Sequence, residues 1–140
     1  MQFRGKYQFL SNFYYAPFIV DGIEFPTVEH YFQAAKTFDK GDRQMIAAAS
    51  SPGLAKRMGR RISLRPDWER VKLTVMKVAL RAKFSDPHLR SKLVQTYPEE
   101  LVEDNTWNDY FWGRCNGKGK NHLGMLLMEI RDEVMGDTSS

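Results

Sequence analysis

The chain has 140 residues, of which 42% are apolar and 27% charged. That length suits one domain with an ordinary core, and the composition excludes a wholly disordered chain. Lys and Arg number 21 against 17 Asp and Glu, a net charge of +4 with a pI near 9.2, which favours either anionic partners or simply a basic solvated surface. No run approaches the ~18 apolar residues of a membrane span, and the opening MQFRGKYQFL shows no secretory signal. A single cysteine, Cys115, excludes an internal disulfide and a multi-cysteine metal cage, so a reducing, cytoplasmic setting fits.

The first 25 residues are rich in aromatics. Asp21-Gly22 sits between the β-prone runs Phe18-Ile19-Val20 and Ile23-Glu24-Phe25, which predicts a hairpin closed by a type I′ turn. Thr27 is a candidate N-cap for a helix whose buried stripe is Val28, Tyr31, Phe32, Ala35 and Phe38. Glu29, Gln33 and Lys36 fall on another face of it, at i, i+4 and i+7. A short helix is expected over 43–49. Ser51-Pro52 signals the start of a third, with Leu54, Ala55 and Met58 inward and Lys56, Arg57, Arg60 and Arg61 nearby.

The spacing predicts the longest helix over 67–84, with a stripe of Trp68, Val71, Val75, Val78, Ala79 and Ala82 broadened by Leu73, Met76 and Leu80. Asp86-Pro87 opens another helix, which ends before Pro98. Leu101-Val102 reads as a short strand, 105–120 as irregular, and 122–135 as a final helix with Leu123, Leu126, Leu127, Ile130 and Val134 on its apolar face. The expected fold is mainly α (α+β): one helical domain over 1–135 with a small N-terminal β-hairpin, then a disordered tail at 136–140.

Several residues could carry chemistry. His30, His88 and His122 are far apart and show no metal-binding spacing, and Cys115 has no identifiable partner for nucleophilic work, so core, capping or surface roles are the plainer readings. The glycine-rich segment 113–121 precedes a helix start, where backbone N–H groups and lysines could meet a phosphate, or it is a flexible turn. Trp107, Asp109 and Trp112 share one irregular loop. Either the aromatics plug the domain, or they stack on a planar ring while Asp109 bonds a sugar. Glu29 and Lys36 are either a solvated pair or the lining of a cleft.

Longer motifs go further. Phe9-Leu10-Ser11-Asn12-Phe13-Tyr14 and Phe25-Pro26-Thr27-Val28-Glu29-His30-Tyr31-Phe32-Gln33-Ala34-Ala35-Lys36 resemble the signature of the YbiA-like, or NADAR (NAD- and ADP-ribose-associated), family. So do Ser51-Pro52-Gly53, Arg65-Pro66-Asp67-Trp68, Leu80-Arg81-Ala82-Lys83-Phe84, Trp112-Gly113 and Gly119-Lys120-Asn121. The resemblance runs along nearly the whole chain, in order.

It implies a mostly helical fold and N-glycosidase activity on a ribose C1–N bond, with two substrate classes. One is ADP-ribose on guanine in nucleic acid, the expectation adopted here. The other is the phosphoribosylamino-pyrimidine intermediates of riboflavin synthesis. A non-catalytic ADP-ribose or NAD reader is the alternative from outside enzymology.

By the same resemblance Glu29 is the lead acid/base and Asp109 a second carboxylate for sugar hydroxyls or water. Lys36 either neutralises phosphate or attacks C1 to form an imine. Trp107 and Trp112 would stack on a base, and Arg57, Arg60, Lys120 and Asn121 are phosphate candidates. Asn12 would contact ribose or base, and Tyr31, Gln33 and Gly113 complete the expected substrate-binding set. No metal and no cofactor is needed. The partners expected are an ADP-ribose or phosphoribosyl-containing substrate, including ADP-ribosylated DNA or RNA, with no membrane and with the chain acting as a monomer.

Overall fold

The structure is a computed structural model that describes the backbone of residues 1–139 and the side chains of residues 1–136. Its internal contacts group into two compact units: Asn12–Lys83, and Met1–Ser11 together with Phe84–Ser140. Each is built around helices.

The Asn12–Lys83 unit opens with strands β1 (Phe18–Val20) and β2 (Ile23–Phe25), antiparallel with Phe18 opposite Phe25. Asp21 and Gly22 have φ of 52° and 75°, the left-handed pair that a type I′ turn requires. Four helices follow: α1 (Val28–Ala34), α2 (Lys40–Ala47), α3 (Pro52–Gly59) and α4 (Trp68–Lys83).

Local chemistry sets their starts. The side chains of Thr27, Asp39 and Ser51 accept the N–H of His30, Asp42 and Leu54, so α1, α2 and α3 each begin on a satisfied cap. Helix α1 is the hub, packed on α2, α3 and α4. Val28, Ala34, Ala55, Ala79 and Leu80 are fully excluded from solvent, and small residues at these positions let the helices approach closely.

The stripe expected on α1 is cut short. The helix ends at Ala34, so Phe38 falls beyond it, 63% exposed, with the Arg65 guanidinium 4.2 Å from its ring centre. On α4, Val78 and Leu73 lie at the surface rather than in the stripe.

The second unit begins with a 3₁₀ segment (Gly5–Leu10) that buries Phe9 and Leu10. Helix α5 (Pro87–Gln95) is capped by Asp86 and packs on α6 (His122–Ser139). The latter, not α4, is the longest helix, at 18 residues against 16. The expected tail at 136–140 falls at its end, where side chains from 137 onward, and Ser140 altogether, lie outside the described residues.

Leu101 and Val102 are buried but not a strand. The strand pairing lies next to them: β3 (Asp104–Asn105) runs parallel to β4 (Arg114–Cys115). Buried Arg131 on α6 donates from Nη1 to Thr96 Oγ1 and the Glu99 carbonyl, which ties the end of α5 down. No described helix is long and apolar enough to cross a membrane.

Candidate functional site

Helix α1 carries the chemistry of the Asn12–Lys83 unit. Its N-terminus is fastened from both sides. The Glu29 N–H donates to the Asn12 carbonyl at 3.1 Å. His30, 1% exposed, bridges Thr27 Oγ1 at 2.8 Å and the Ala49 carbonyl at 3.0 Å. A carbonyl only accepts, so Nε2 carries a proton, and His30 is a core tie between α1 and the segment after α2.

Glu29 is 7% exposed, yet it faces cations. Burial pushes its carboxyl above the ordinary 4.5. The Gln33 hydrogen bond and the charges of Lys56, Lys36 and His30 pull the other way without winning. Gln33 Nε2 donates to Glu29 Oε1 at 2.9 Å, as the i, i+4 spacing on one helix face allows.

Lys36 lies just past the helix, where its N–H donates to the Gln33 carbonyl. Half-burial pulls its ammonium below the usual 10.5. Glu29 opposes that shift, while Arg60 and Lys56 add to it. Aromatic rings form its floor: Phe32 and Trp68 meet edge to face with centres 5.0 Å apart. Thus a carboxyl held toward its neutral form and an amine held toward its neutral form share one helix flank, ringed by Lys56 and Arg60 from α3 and its end. Among the buried polar atoms, Asn12 Oδ1 and Gln33 Oε1 have no hydrogen-bond partner.

The structure therefore gathers Glu29, Gln33, Lys36 and Arg60 as the sequence suggested. It adds Lys56, which its i, i+4 spacing to Arg60 could have flagged, and Trp68, which the sequence placed only in the buried stripe of α4. Arg57 is exposed on α3 and joins neither carboxyl nor amine in this set.

Tyr31 lies apart from this set. It sits on the opposite side of α1 from Glu29, against the hairpin, with ring centres 5.9 Å from Phe18 and 5.1 Å from Phe25.

The remaining expected residues lie in the other unit, and there most of them hold structure together. Asp109 Oδ1 accepts the N–H groups of Phe111 and Trp112, while the Asp109 backbone pairs with the buried Asn105 amide. Its carboxylate is thus a turn cap. Trp112 meets Phe111 edge to face at 4.8 Å, and Trp107 is 55% exposed.

The glycine-rich segment is not an open anion cradle. Cys115 and Lys118 exchange backbone hydrogen bonds across a tight turn at Asn116-Gly117. The N–H groups of Lys120, Asn121, His122 and Leu123 go to the carbonyls of Tyr110, Gly113, Phe111 and Trp112. Asn121, fully buried, accepts the Glu103 N–H and donates to the Leu101 carbonyl. Gly113 and Gly119 admit backbone where a Cβ would meet the Glu103 and Gly113 carbonyls at 2.2 and 2.5 Å. The phosphate role expected of Asn121 therefore loses its donors to the fold; Lys120 keeps an exposed side chain. Cys115 is a buried free thiol, and no cluster of three or more metal-ligating side chains occurs among the described residues.

Residues 2–135 match the NADAR domain. The chain is 53% identical over 128 residues to "N-glycosidase YbiA" of Shigella boydii serotype 4 (strain Sb227), covering 89% of this chain and 79% of that protein. It is 41% identical over 130 residues to "Riboflavin biosynthesis protein PYRR, chloroplastic" of Zea mays, covering 83% of this chain but 21% of that protein. The solved NMR structure of Escherichia coli YbiA superposes with a TM-score of 0.88 at 46% identity, covering all of this chain and 87% of that one.

Proposed function

From the premise that the chain belongs to the NADAR domain family and is an N-glycosidase, we propose that it hydrolyses the ribose C1–N bond of ADP-ribose linked to guanine, with Glu29 and Lys36 as its reacting groups. The observation that carries this is the pairing on one flank of α1 of a carboxyl raised by burial with an amine lowered by burial. Protonated Glu29 gives its proton to the departing base nitrogen as the C1–N bond breaks and its electron pair leaves with the base. The Lys36 amine forms the new bond to C1, and the proton it then sheds returns to the Glu29 carboxylate. The adduct opens to an imine, and water hydrolyses it to the free ribose aldehyde and Lys36. The balance closes with water alone as co-reactant.

Lys56 and Arg60 act electrostatically on the Lys36 amine, and Lys56 acts on the Glu29 carboxyl as well. That excess of positive charge fits a diphosphate, and so supports ADP-ribose over a single phosphate. The name of the maize relative favours a second reading, the phosphoribosylamino-pyrimidines of riboflavin synthesis.

Both substrates are offered to the purified protein beside Glu29→Gln, and released base is followed by mass spectrometry. Release from guanine-ADP-ribosylated DNA, falling at least ~10²-fold in Glu29→Gln, is the expected result. Release only from the pyrimidine moves the assignment to the second reading, and release from neither overturns both.

A further inference from the structure

Gln33 is, we infer, a positioning residue that decides which oxygen of Glu29 carries the reactive proton, and Gly59 is the seat that holds Gln33 in place. The inference rests on the N-glycosidase reading of Glu29 given above.

The hydrogen bond between the two side chains runs one way. The Gln33 amide nitrogen can only donate, so Glu29 Oε1, 2.9 Å away, must present a lone pair whether or not the carboxyl is protonated. A hydroxyl oxygen accepts more weakly than a carbonyl oxygen, so the proton of neutral Glu29 is thereby favoured on Oε2. A carboxyl free to rotate would divide its proton between two oxygens pointing in different directions. This one delivers along a single line.

The arrangement needs the Gln33 side chain held in place, and the close backbone of α3 holds it. Gln33 Oε1 occupies the space a Cβ on Gly59 would need. That Cβ would meet Oε1 at 1.9 Å, Cδ at 2.8 Å and Cβ of Gln33 at 3.1 Å. The carboxamide lies directly against the backbone of α3, and while Glu29 is ionised a flip would set the amide oxygen against a carboxylate oxygen. Two costs are accepted for this. Glycine as the last residue of α3 loses more backbone freedom on folding than alanine would. Gln33 Oε1 is buried without a partner, which a stability-driven sequence avoids. An apolar residue at 33 with alanine at 59 would remove both.

The charges that face Glu29 are Lys56 from α3, Lys36 from the turn after α1, and His30 beside it on α1. None of them is altered by replacing Gln33 or Gly59, so a change in Glu29 titration in such variants reports the hydrogen bond.

The test is the ¹³C titration of the Glu29 side-chain carboxyl by NMR in wild type, Gln33→Leu and Gly59→Ala, with the pH–rate profile alongside. Both variants are expected to bind the Glu29 proton on the order of tenfold more tightly, the scale of a hydrogen bond to a charged group. The limb of the profile that reports Glu29 should move to higher pH with it, and kcat should fall more than KM changes. A folded Gln33→Leu whose Glu29 titrates as in wild type overturns the proposal, as does activity lost with the limb unmoved. Should Gln33→Leu fail to fold, Gly59→Ala decides alone, since alanine is otherwise the better helix former. An inactive wild type refutes the glycosidase reading and the catalytic consequence with it, whereas an active wild type with an unmoved titration refutes only the role of Gln33.

Discussion

The Lys36 ammonium stands 6.0 Å from the centre of the Trp68 ring, and 5.7 Å from that of Phe32, which closes the same corner. The rings shield one side of the amine from water while Lys56 and Arg60 repel its charge, and both effects favour the neutral, nucleophilic form.

If Lys36 bonds to C1, Lys36→Arg keeps a cation but cannot form an imine. We expect a loss on the order of a hundredfold or more in both Lys36→Arg and Lys36→Ala. Borohydride added during turnover should leave a ribosyl adduct on Lys36 in wild type only, read by peptide mass spectrometry. Substantial activity in Lys36→Arg without an adduct would make the residue an electrostatic partner of phosphate instead.

The pH dependence follows from the two opposed shifts. Glu29 is raised from 4.5 and Lys36 lowered from 10.5, so the species with Glu29 protonated and Lys36 neutral gains population from both sides. The profile of kcat/KM should be a bell whose acid limb lies above 4.5 and whose alkaline limb lies below 10.5. Limbs at the ordinary values would show that burial does not act on these groups.

Glu29 should also weigh on stability. Its folded-state carboxyl is raised, so its favourable contribution is complete below about pH 4.5, where folded and unfolded chains both hold the proton, and is lost as pH rises through the folded value. Glu29→Gln does not titrate. It should match wild type in acid and exceed it near neutrality by about 0.5–2 kcal/mol, measured by urea unfolding at several pH values. A variant less stable than wild type at every pH would contradict a burial penalty at this carboxyl.

Asp109 is expected to separate cap from charge. Asn keeps an acceptor for the Phe111 and Trp112 N–H groups, and Ala does not. Asp109→Asn should retain most activity and stability, while Asp109→Ala should lose about 1 kcal/mol. A large loss of turnover in a stable Asp109→Asn would restore the carboxylate to the chemistry.

Legibility in the sequence followed the range of the interaction. The Asp21-Gly22 turn and the caps at Thr27, Ser51 and Asp86 are written within four residues, and the structure has them where the motifs stand. Phe38 was misplaced because periodicity does not say where a helix stops, and α1 stops at Ala34. The pairing of Asp104–Asn105 with Arg114–Cys115 joins two residues to two others ten positions on, too short a pattern to register. In the site, Glu29 and Gln33 share a face of α1 that spacing reveals, and Lys36 follows in the turn past its end. The contact of Gln33 with Gly59 crosses between helices, and no local pattern encodes it. Motif resemblance marked Asn121 and Asp109 as residues that matter, but residue type alone could not distinguish a side chain that holds substrate from one that holds backbone.

The turn at Asn116-Gly117 has a practical use. A Cβ on Gly117 would meet nothing within 4 Å, whereas one on Gly119 would strike the Gly113 carbonyl at 2.5 Å and one on Gly124 the Leu101 carbonyl at 2.0 Å. Two residues separate an open hairpin tip from close-packed main chain. An inserted epitope or surface tether belongs between 116 and 117, whose left-handed backbone resists direct substitution, and the same graft at 119 would pry the segment apart.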